Sequence, residues 1–440
     1  MNLLLAASIL TASAALGQDL GIKAPPQSRP IAIVNATLHP VSSDPVPGAT
    51  ILFDQGVITG LGPNVQIPEA ALVIDGGGRH VYPGLFSPLT QLGLTEIQAV
   101  RASNDMNEVG DFTPESFAAV SVNPDSTLFP VTRSNGILTA ASFPTAGRIP
   151  GRASVLALDG WTWEDMAILP DAGLILEWPF VRPVTAWWMD RSEDDQRRDI
   201  ERSLAAIDTL FDAADAYFAL RDADPSAPED LRFEAMRAIR PGASPQRPVF
   251  IRASELDQII SALVWAERRA LRPVIVGGRD APLCADLLKA RDVPVIVSGT
   301  HTFPKRDDSP YDHAFTLPAR LHAAGIRFAI ATNDDTAHER NLPYNAAIAV
   351  AHGLHPDAAL HAVTLAPATI FGLGDRLGSL EVGKAATLIL TTGHPLEVTT
   401  RVERAFIDGR AIDLSNKHSA LADKYREKYR QLKAQEPARR

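Results

Sequence analysis

The sequence predicts an α/β fold, and three stretches of the chain carry that prediction. Residues 30–82 alternate short β-rich runs with Gly, Pro and Asp turns, as a small sheet does. Beyond Pro83, strand-like runs alternate with helical patterns, which indicates a parallel α/β arrangement. Residues 375–415 return to short strands. The chain is therefore expected to begin and end in β-structure, with an α/β body between.

The elements of the body follow from apolar runs and the turn residues that bound them. The strand-like runs cover residues 136–141, 153–158, 274–276, 293–297 and 328–331. The longest helical pattern extends from Ser192 to Leu220. The last segment, 416–440, is locally basic, and its apolar residues Leu421, Tyr425, Tyr429 and Leu432 recur at helical spacing. We expect this segment to form a charged helical tail that docks on the body.

Composition and the N-terminus indicate an exported globular protein. The 440 residues are 45% hydrophobic and 21% charged, which is enough to bury a large core. Residues 1–17 combine a Leu/Ala-rich run with small residues before a polar start, as a secretory signal peptide does. No other run approaches the roughly 20 apolar residues needed to cross a bilayer. We therefore predict a periplasmic or secreted protein without a membrane span.

The net charge of −10 bears on the kind of partner. Nucleic-acid binding needs a clustered basic surface, so we predict no nucleic-acid partner. The expected partner is a small-molecule ligand or substrate. The sequence leaves the oligomeric state open.

Motifs near both ends of the chain form an ordered series. In the C-terminal third they include Pro367-Ala-Thr-Ile-Phe-Gly-Leu373, Asp375-Arg-Leu-Gly-Ser-Leu-Glu-Val-Gly-Lys384 and Ala405-Phe-Ile-Asp-Gly-Arg410. Near the N-terminus they include Ile31-Ala-Ile-Val-Asn-Ala-Thr-Leu38 and Val81-Tyr-Pro-Gly-Leu85. Over residues 30–415, this series resembles the amidohydrolase superfamily, and within it the imidazolonepropionase-like branch.

The resemblance implies a fold and a chemistry. The fold would be a TIM-like (β/α)8 barrel at 83–374, beside a composite β-sandwich that is formed by 29–82 together with 375–415. The chemistry would be hydrolysis of non-peptide C–N or related bonds with zinc or another divalent metal. In such barrels, the reacting groups lie on the loops that follow the strands.

The metal-ligand motif of the family is degenerate in this chain. Leu89 and Gln91 occupy the two histidine positions that follow the first barrel strand, and Ser87 occupies the aspartate position. Zinc and its relatives need His, Cys, Asp or Glu donors, and neither leucine nor glutamine is a normal ligand. We therefore predict no metal at this position.

The later strands also lack the family's histidines. The strands matched to the fifth and sixth end in Arg252 and in Gly277-Gly278, and no histidine occurs from Val81 to Thr300. Metal-dependent catalysis is accordingly expected to be altered or absent, and no cofactor is predicted.

Two residues are candidates for catalysis. Asp334 matches the late-barrel aspartate of the family, although the adjacent Asp335 leaves the register open by one residue. The alternative is a helix-capping or turn aspartate. His301 follows a predicted strand and is a candidate base or hydrogen-bond donor, whereas the alternative is an ordinary surface histidine.

Two arginines are candidates for ligand binding. Arg252 stands where a metal-binding histidine is expected, so positive charge replaces the metal there. With Arg340, it could bind an anionic ligand without any cofactor. The alternative for Arg252 is a salt bridge to Glu255 or Asp257 nearby.

Two function classes follow from these residues. One is a hydrolase of the amidohydrolase type with a remodelled site around Asp334 and His301. The other is a catalytically degenerate barrel that binds a small polar or anionic ligand, or a partner, without turnover.

Overall fold

The computed structural model describes residues 18, 19, 21–185, 189–332 and 336–435. The predicted signal peptide lies outside these residues, and so do the candidate Asp334 and its neighbour Asp335. Within the described ranges, no helix is long and apolar enough to cross a membrane.

One sheet combines strands from both ends of the chain. Its N-terminal strands are β1 (Ile31–Leu38), β2 (Val46–Asp54), β3 (Val57–Gly62), β4 (Leu72–Asp75) and β5 (His80–Pro83). Its C-terminal strands are β14 (Leu388–Thr391), β15 (Val402–Ile407) and β16 (Arg410–Ile412). The order is β16-β15-β14-β5-β1-β2-β3, with β4 beside β1. Because β5 pairs antiparallel with β14, the two ends of the chain share one composite sheet.

The side chains of this composite sheet form their own core. Ile33, Ile51, Phe53 and Leu388 are fully buried in it, together with Phe406. The Phe53 and Phe406 rings meet edge to face, with their centroids 5.1 Å apart. Strands of the N-terminal and C-terminal segments therefore depend on each other for burial.

The second sheet follows the chain order. Its strands are β6 (Leu85–Thr90), β7 (Ile137–Ser142), β8 (Gly151–Ala157), β9 (Ala167–Glu177), β10 (Val249–Ala253), β11 (Pro273–Gly277), β12 (Val295–Val297) and β13 (Phe328–Ile330). The last strand, β13, also contacts β6, so the sheet nearly closes into a barrel. This is the TIM-like α/β architecture that the sequence predicts, with the composite sheet beside it.

One strand departs from the parallel arrangement. β8 is antiparallel to both of its neighbours, β7 and β9. Only residues 143–150 join β7 to β8, and only 158–166 join β8 to β9. A parallel connection needs a crossover of a dozen or more residues, so connections this short require antiparallel pairing.

The described residues contain eleven α-helices. They are α1 (Leu128–Arg133), α2 (Trp163–Met166), α3 (Glu193–Ala223), α4 (Leu231–Glu234), α5 (Leu256–Arg268), α6 (Ala285–Ala290), α7 (His313–Ala323), α8 (Leu342–Ala351), α9 (Pro356–Ala362), α10 (Leu365–Ile370) and α11 (Lys417–Gln435). The helix predicted at 192–220 is α3, and Ser192 Oγ caps it by accepting from the Asp195 N–H.

The inside of the barrel is filled by phenylalanine rings. Phe86 stacks on Phe371 of the segment after α10, with a centroid distance of 5.5 Å. Phe250 lies 5.1 Å from both Phe143 and Phe371. All four side chains are at most 1% exposed. The barrel is thus a packed core, and any ligand must bind beyond the ends of its strands.

The C-terminal helix α11 differs from expectation in its packing. Its first turn contacts the body, where Lys417 Nζ donates to Thr127 Oγ1 at 3.0 Å. Its apolar residues Leu421, Tyr425, Tyr429 and Leu432 are nevertheless 48–63% exposed. The segment is helical as predicted, but the expectation that its apolar face docks on the body is wrong.

Candidate functional site

Two adjoining cavities lie at the C-terminal ends of β9 to β12. The first, called the mouth cavity, has a volume of about 490 Å³, and its charged lining residues are Glu177, Arg252, Glu255, Arg279 and Lys305. The second, called the His301 cavity, has a volume of about 350 Å³. Ser254, Gly277, Arg279, Ser298 and Lys305 line both cavities. The strand ends therefore present one continuous, strongly polar region.

Arg252 and Glu177 form an ion pair in the wall of the mouth cavity. They lie opposite each other on the parallel strands β10 and β9, and Arg252 Nε is 2.9 Å from Glu177 Oε1. The Arg252 side chain is 20% exposed and that of Glu177 is 38% exposed. The sequence-based alternative, a salt bridge to Glu255 or Asp257, does not describe this contact.

A second ion pair lines the same cavity. Arg279 Nη2 donates to Glu255 Oε1 at 2.7 Å. Asp280, which is only 2% exposed, lies 3.7 Å from Arg279 Nε and also pairs with Arg306. This contact with Asp280 raises the pKa of the Arg306 guanidinium. Ion pairs thus hold the loop after β11, and two of the paired residues, Arg279 and Glu255, also line the mouth cavity.

Gly277, at the end of β11, is required by the shape of this wall. Its φ is +103°, a backbone conformation that residues other than glycine rarely adopt. A Cβ at this position would lie 2.5 Å from Ser254 Oγ. A histidine at this position would therefore require a strained backbone and displacement of the Ser254 hydroxyl.

His301 is exposed and lines the cavity that carries its name. The preceding residue is fixed, because the Thr300 N–H donates to Asn345 Oδ1 at 2.9 Å and Thr300 Oγ1 donates to the Asn345 carbonyl at 2.9 Å. The imidazole therefore projects from an anchored backbone at the edge of the polar region.

Arg340 does not join Arg252. It lies in the 3-10 helix Thr336–Asn341, and its Nη1 is 3.4 Å from His418 Nδ1 of α11. Its carbonyl accepts from Asn135 Nδ2 at 2.6 Å. Neither the mouth cavity nor the His301 cavity is lined by Arg340. The structure thus separates the two arginines that the sequence grouped together.

Asp334 lies outside the described residues, whereas Thr332 and the residues from Thr336 onward are described. Thr332 Oγ1 donates to Glu339 Oε2 at 2.9 Å, and Glu339 is fully buried. This contact joins two described residues that lie on either side of positions 333–335 in the sequence.

The family's first metal-ligand positions are buried here. Leu89 is 0% exposed and belongs to the apolar cluster that fills the barrel, beside Phe143 and Val276. Gln91 is 3% exposed. Among the residues that the structure describes, Gln91 Nε2 and Ser87 Oγ have no hydrogen-bond partner.

A divalent metal of the family's kind does not fit the side chains at these strand ends. In the described part of the chain, no three His, Cys, Asp or Glu residues lie close enough together to hold a metal ion. Leucine at position 89 offers no lone pair, and Arg252 brings a positive charge that repels a cation.

Sequence reasoning missed Glu177, Arg279 and Lys305. Glu177 ends the apolar run Leu174-Ile-Leu176, and a carboxylate that closes a buried strand is a signal that could have found it. Arg279 and Lys305 lie in loops after β11 and β12, where only the strand order in space brings them together.

Comparison with known proteins finds similarity to amidohydrolases. Residues 273–412 match the model of the amidohydrolase family. Amidohydrolase tasK of Hapsidospora irregularis is 26% identical over 443 residues, an alignment that covers 87% of this chain and 43% of that protein. Imidazolonepropionase of Syntrophobacter fumaroxidans is 42% identical over 77 residues, or 17% of this chain and 18% of that protein. The alignments thus cover less than half the length of either relative.

Solved structures support the same architecture. An amidohydrolase from Thermotoga maritima superposes with a TM-score of 0.76 at 24% identity, over 87% of this chain and 99% of that one. An Xaa-Pro dipeptidase with bound methionine in its active site superposes with a TM-score of 0.54 at 14% identity, over 87% of this chain and all of that one. At these identities the likeness shows the fold.

Proposed function

The chain belongs to the amidohydrolase superfamily, and from that premise we propose that it binds a small polar ligand with an anionic group at the barrel mouth, without metal-dependent hydrolysis. One observation carries the proposal. The strand ends where the family holds a metal carry Arg252 and glycine instead, and they border a cavity of about 490 Å³.

The charges of the mouth cavity favour an anionic group. Three cationic side chains, Arg252, Arg279 and Lys305, line it against two carboxylates, Glu177 and Glu255. Arginine presents a planar set of N–H donors that matches carboxylate and phosphate groups. A ligand that carries both an anionic and a cationic group would also find carboxylates to pair with.

The burial of Leu89, which occupies one of the expected histidine positions of the first barrel strand, supports a function without metal chemistry. A metal would have to enter the apolar cluster around Leu89, where neither Phe143 nor Val276 supplies a donor. Metal-assisted hydrolysis needs the metal to polarise its substrate or to activate water.

Metal content of purified protein tests the proposal directly. Protein prepared without chelator or a histidine tag is expected to contain far less than one zinc, iron or manganese ion per chain by elemental mass spectrometry. The Asp334→Ala variant is the control. Stoichiometric metal that is lost in this variant would overturn the proposal and would assign Asp334 as a ligand.

A second candidate function is hydrolysis of a C–N bond through His301. It is supported by the family and by the exposure of His301 on a cavity of about 350 Å³ that adjoins the mouth cavity. A screen of amides and cyclic amides with metal-free protein distinguishes the two functions. Turnover that disappears in His301→Ala, while the fold is kept, would favour the hydrolase.

A further inference from the structure

We propose that the C-terminal helix α11 docks on an anionic lipid surface, an interaction independent of the barrel site. The helix spans Lys417–Gln435, and 19 residues of α-helix extend about 28 Å. Its described contacts with the body lie in its first turn, through Lys417 to Thr127 and through His418 to Arg340. From Ser419 to Ala434, every residue except the half-buried Ala422 is exposed to solvent.

The apolar side chains of α11 form one narrow stripe. Leu421, Tyr425, Tyr429 and Leu432 fall within an arc of about 80° when successive residues turn by about 100°. Each of them is about half exposed. Leucine and tyrosine together suit a membrane interface, where the tyrosine hydroxyl stays hydrated while the ring is buried.

Lysines border this stripe. Lys424 and Lys428 lie along one edge, and Lys433 lies along the other, as their helical angles require. Lys428 Nζ is 5.5 Å from the Tyr425 ring centroid and 5.8 Å from that of Tyr429. Lysine in this position lays its aliphatic stem beside apolar groups and presents its ammonium group to lipid phosphates.

The acidic residues of α11 lie on the opposite side. Asp423 pairs with Arg426 at 2.6 Å, and Glu427 pairs with Arg430 at 2.7 Å. Their carboxylates are therefore neutralised on the face that would point to water. The charge that is left beside the apolar stripe is positive, and this matches an anionic surface.

The charge distribution favours lipid over a second copy of the chain. Two α11 helices that pack through their stripes would bring Lys424 and Lys428 of one copy near lysines of the other, and like charges repel. Segment 416–440 holds eight Lys and Arg residues and three Asp and Glu residues, whereas the whole chain has a net charge of −10. Segment 416–440 thus has a net charge of 8 − 3 = +5, whereas the rest of the chain has a net charge of −10 − 5 = −15.

Vesicle co-sedimentation of the full chain tests the proposal. Binding is expected to vesicles that contain phosphatidylglycerol, to be weaker to vesicles of phosphatidylcholine alone, and to fall as salt is raised. Each lysine near an anionic surface strengthens binding about fivefold, so Lys424→Gln with Lys428→Gln should reduce it roughly 25-fold. Arg430→Gln, which removes a positive charge from the water-facing side, should reduce binding far less than Lys428→Gln alone.

A second pair of variants tests the stripe. Tyr425→Glu should abolish sedimentation with the vesicles, whereas Ala434→Glu, which places the same charge on the far side, should largely retain it. Far-UV circular dichroism checks that the fold is kept in each variant. Equal losses in the matched variants, equal binding to both vesicle types, or a concentration-dependent dimer with no vesicle binding would overturn the proposal.

Discussion

Arg252 Nε lies 2.9 Å from Glu177 Oε1, and the two residues face each other on neighbouring parallel strands of the barrel. Both side chains are therefore positioned by strand register and not by a mobile loop. The strand ends where the sequence resemblance implies a metal site carry this arginine and this carboxylate instead.

Arg252→Gln is expected to remove binding of the ligand while leaving the fold intact. The substitution deletes a cationic group of the mouth cavity, whereas Arg340 contacts His418 outside both cavities. Small molecules released from denatured protein and identified by mass spectrometry provide the measurement. Arg340→Gln is the matched control and should retain the released compound. Loss of the compound from Arg340→Gln alone would assign the site elsewhere.

Leu89→His is expected to destabilise the protein by roughly 2–4 kcal/mol, because it places a polar ring in an apolar cluster that offers no partner. Urea unfolding measures the loss, and Val109→His, at a side chain that is 96% exposed, is the control. Zinc should not restore the stability of Leu89→His. If zinc did restore it, a hidden set of metal donors would exist at the barrel mouth.

The strand positions could be predicted from the sequence because strands that are buried in a core consist of runs of apolar residues. The runs at 274–276 and 328–331 both become barrel strands. The partner of Arg252 was not accessible in this way. Glu255 and Asp257 are close in sequence, but each pairs with another arginine, whereas Glu177 reaches Arg252 through the lateral pairing of β9 and β10. Register between distant strands cannot be read from local spacing.

The antiparallel strand β8 illustrates the same limit. Its apolar run at 153–158 predicted a strand, and the pattern of residues gave no direction. The direction of β8 follows from the lengths of its connections to β7 and β9. These lengths are known only when the ends of β7 and β9 are known. The grouping of Arg340 with Arg252 rested on their shared chemistry, and the structure places them in different surroundings.

Asp159→Ala is expected to cost about 3–5 kcal/mol of stability, because it leaves buried arginine charge without its partner. The Asp159 side chain is 2% exposed and accepts from Arg133 Nη1 at 3.0 Å and from Arg410 Nη1 at 2.9 Å. These contacts join the barrel to β16 of the composite sheet. Chemical denaturation gives the free energy of unfolding. Asp212→Ala, which removes a 71% exposed partner of Arg269, should cost less than about 1 kcal/mol.

Stability is expected to fall as pH drops from about 6.5 towards 4, because burial favours the neutral forms of His39 and His394. Burial, followed by the charge of His80, lowers the pKa of His39 from 6.5 to about 4, and burial also lowers the pKa of His394. His39 hydrogen-bonds His80 at 2.9 Å and stacks on Tyr82. Two carboxylates oppose the lowering of these pKa values: Glu397 and Asp357 act on His394, and Asp357 acts on His39. Between pH 6.5 and 4 the unfolded chain binds more protons than the folded chain, so the stability that is complete above pH 6.5 is lost in this window.

The contribution of His39 to this pH dependence is separable by substitution. His39→Gln should reduce the decrease in Tm between pH 7 and about 5. The substitution removes a group that binds a proton in the unfolded chain but not in the folded chain over this range. Tyr82→Phe keeps the ring that stacks on His39 and removes no group that titrates in this range, so its pH profile should parallel that of the unmodified protein. Thermal unfolding followed by circular dichroism at a series of pH values measures both profiles. An unchanged slope in His39→Gln would show that His39 does not contribute to the acid sensitivity.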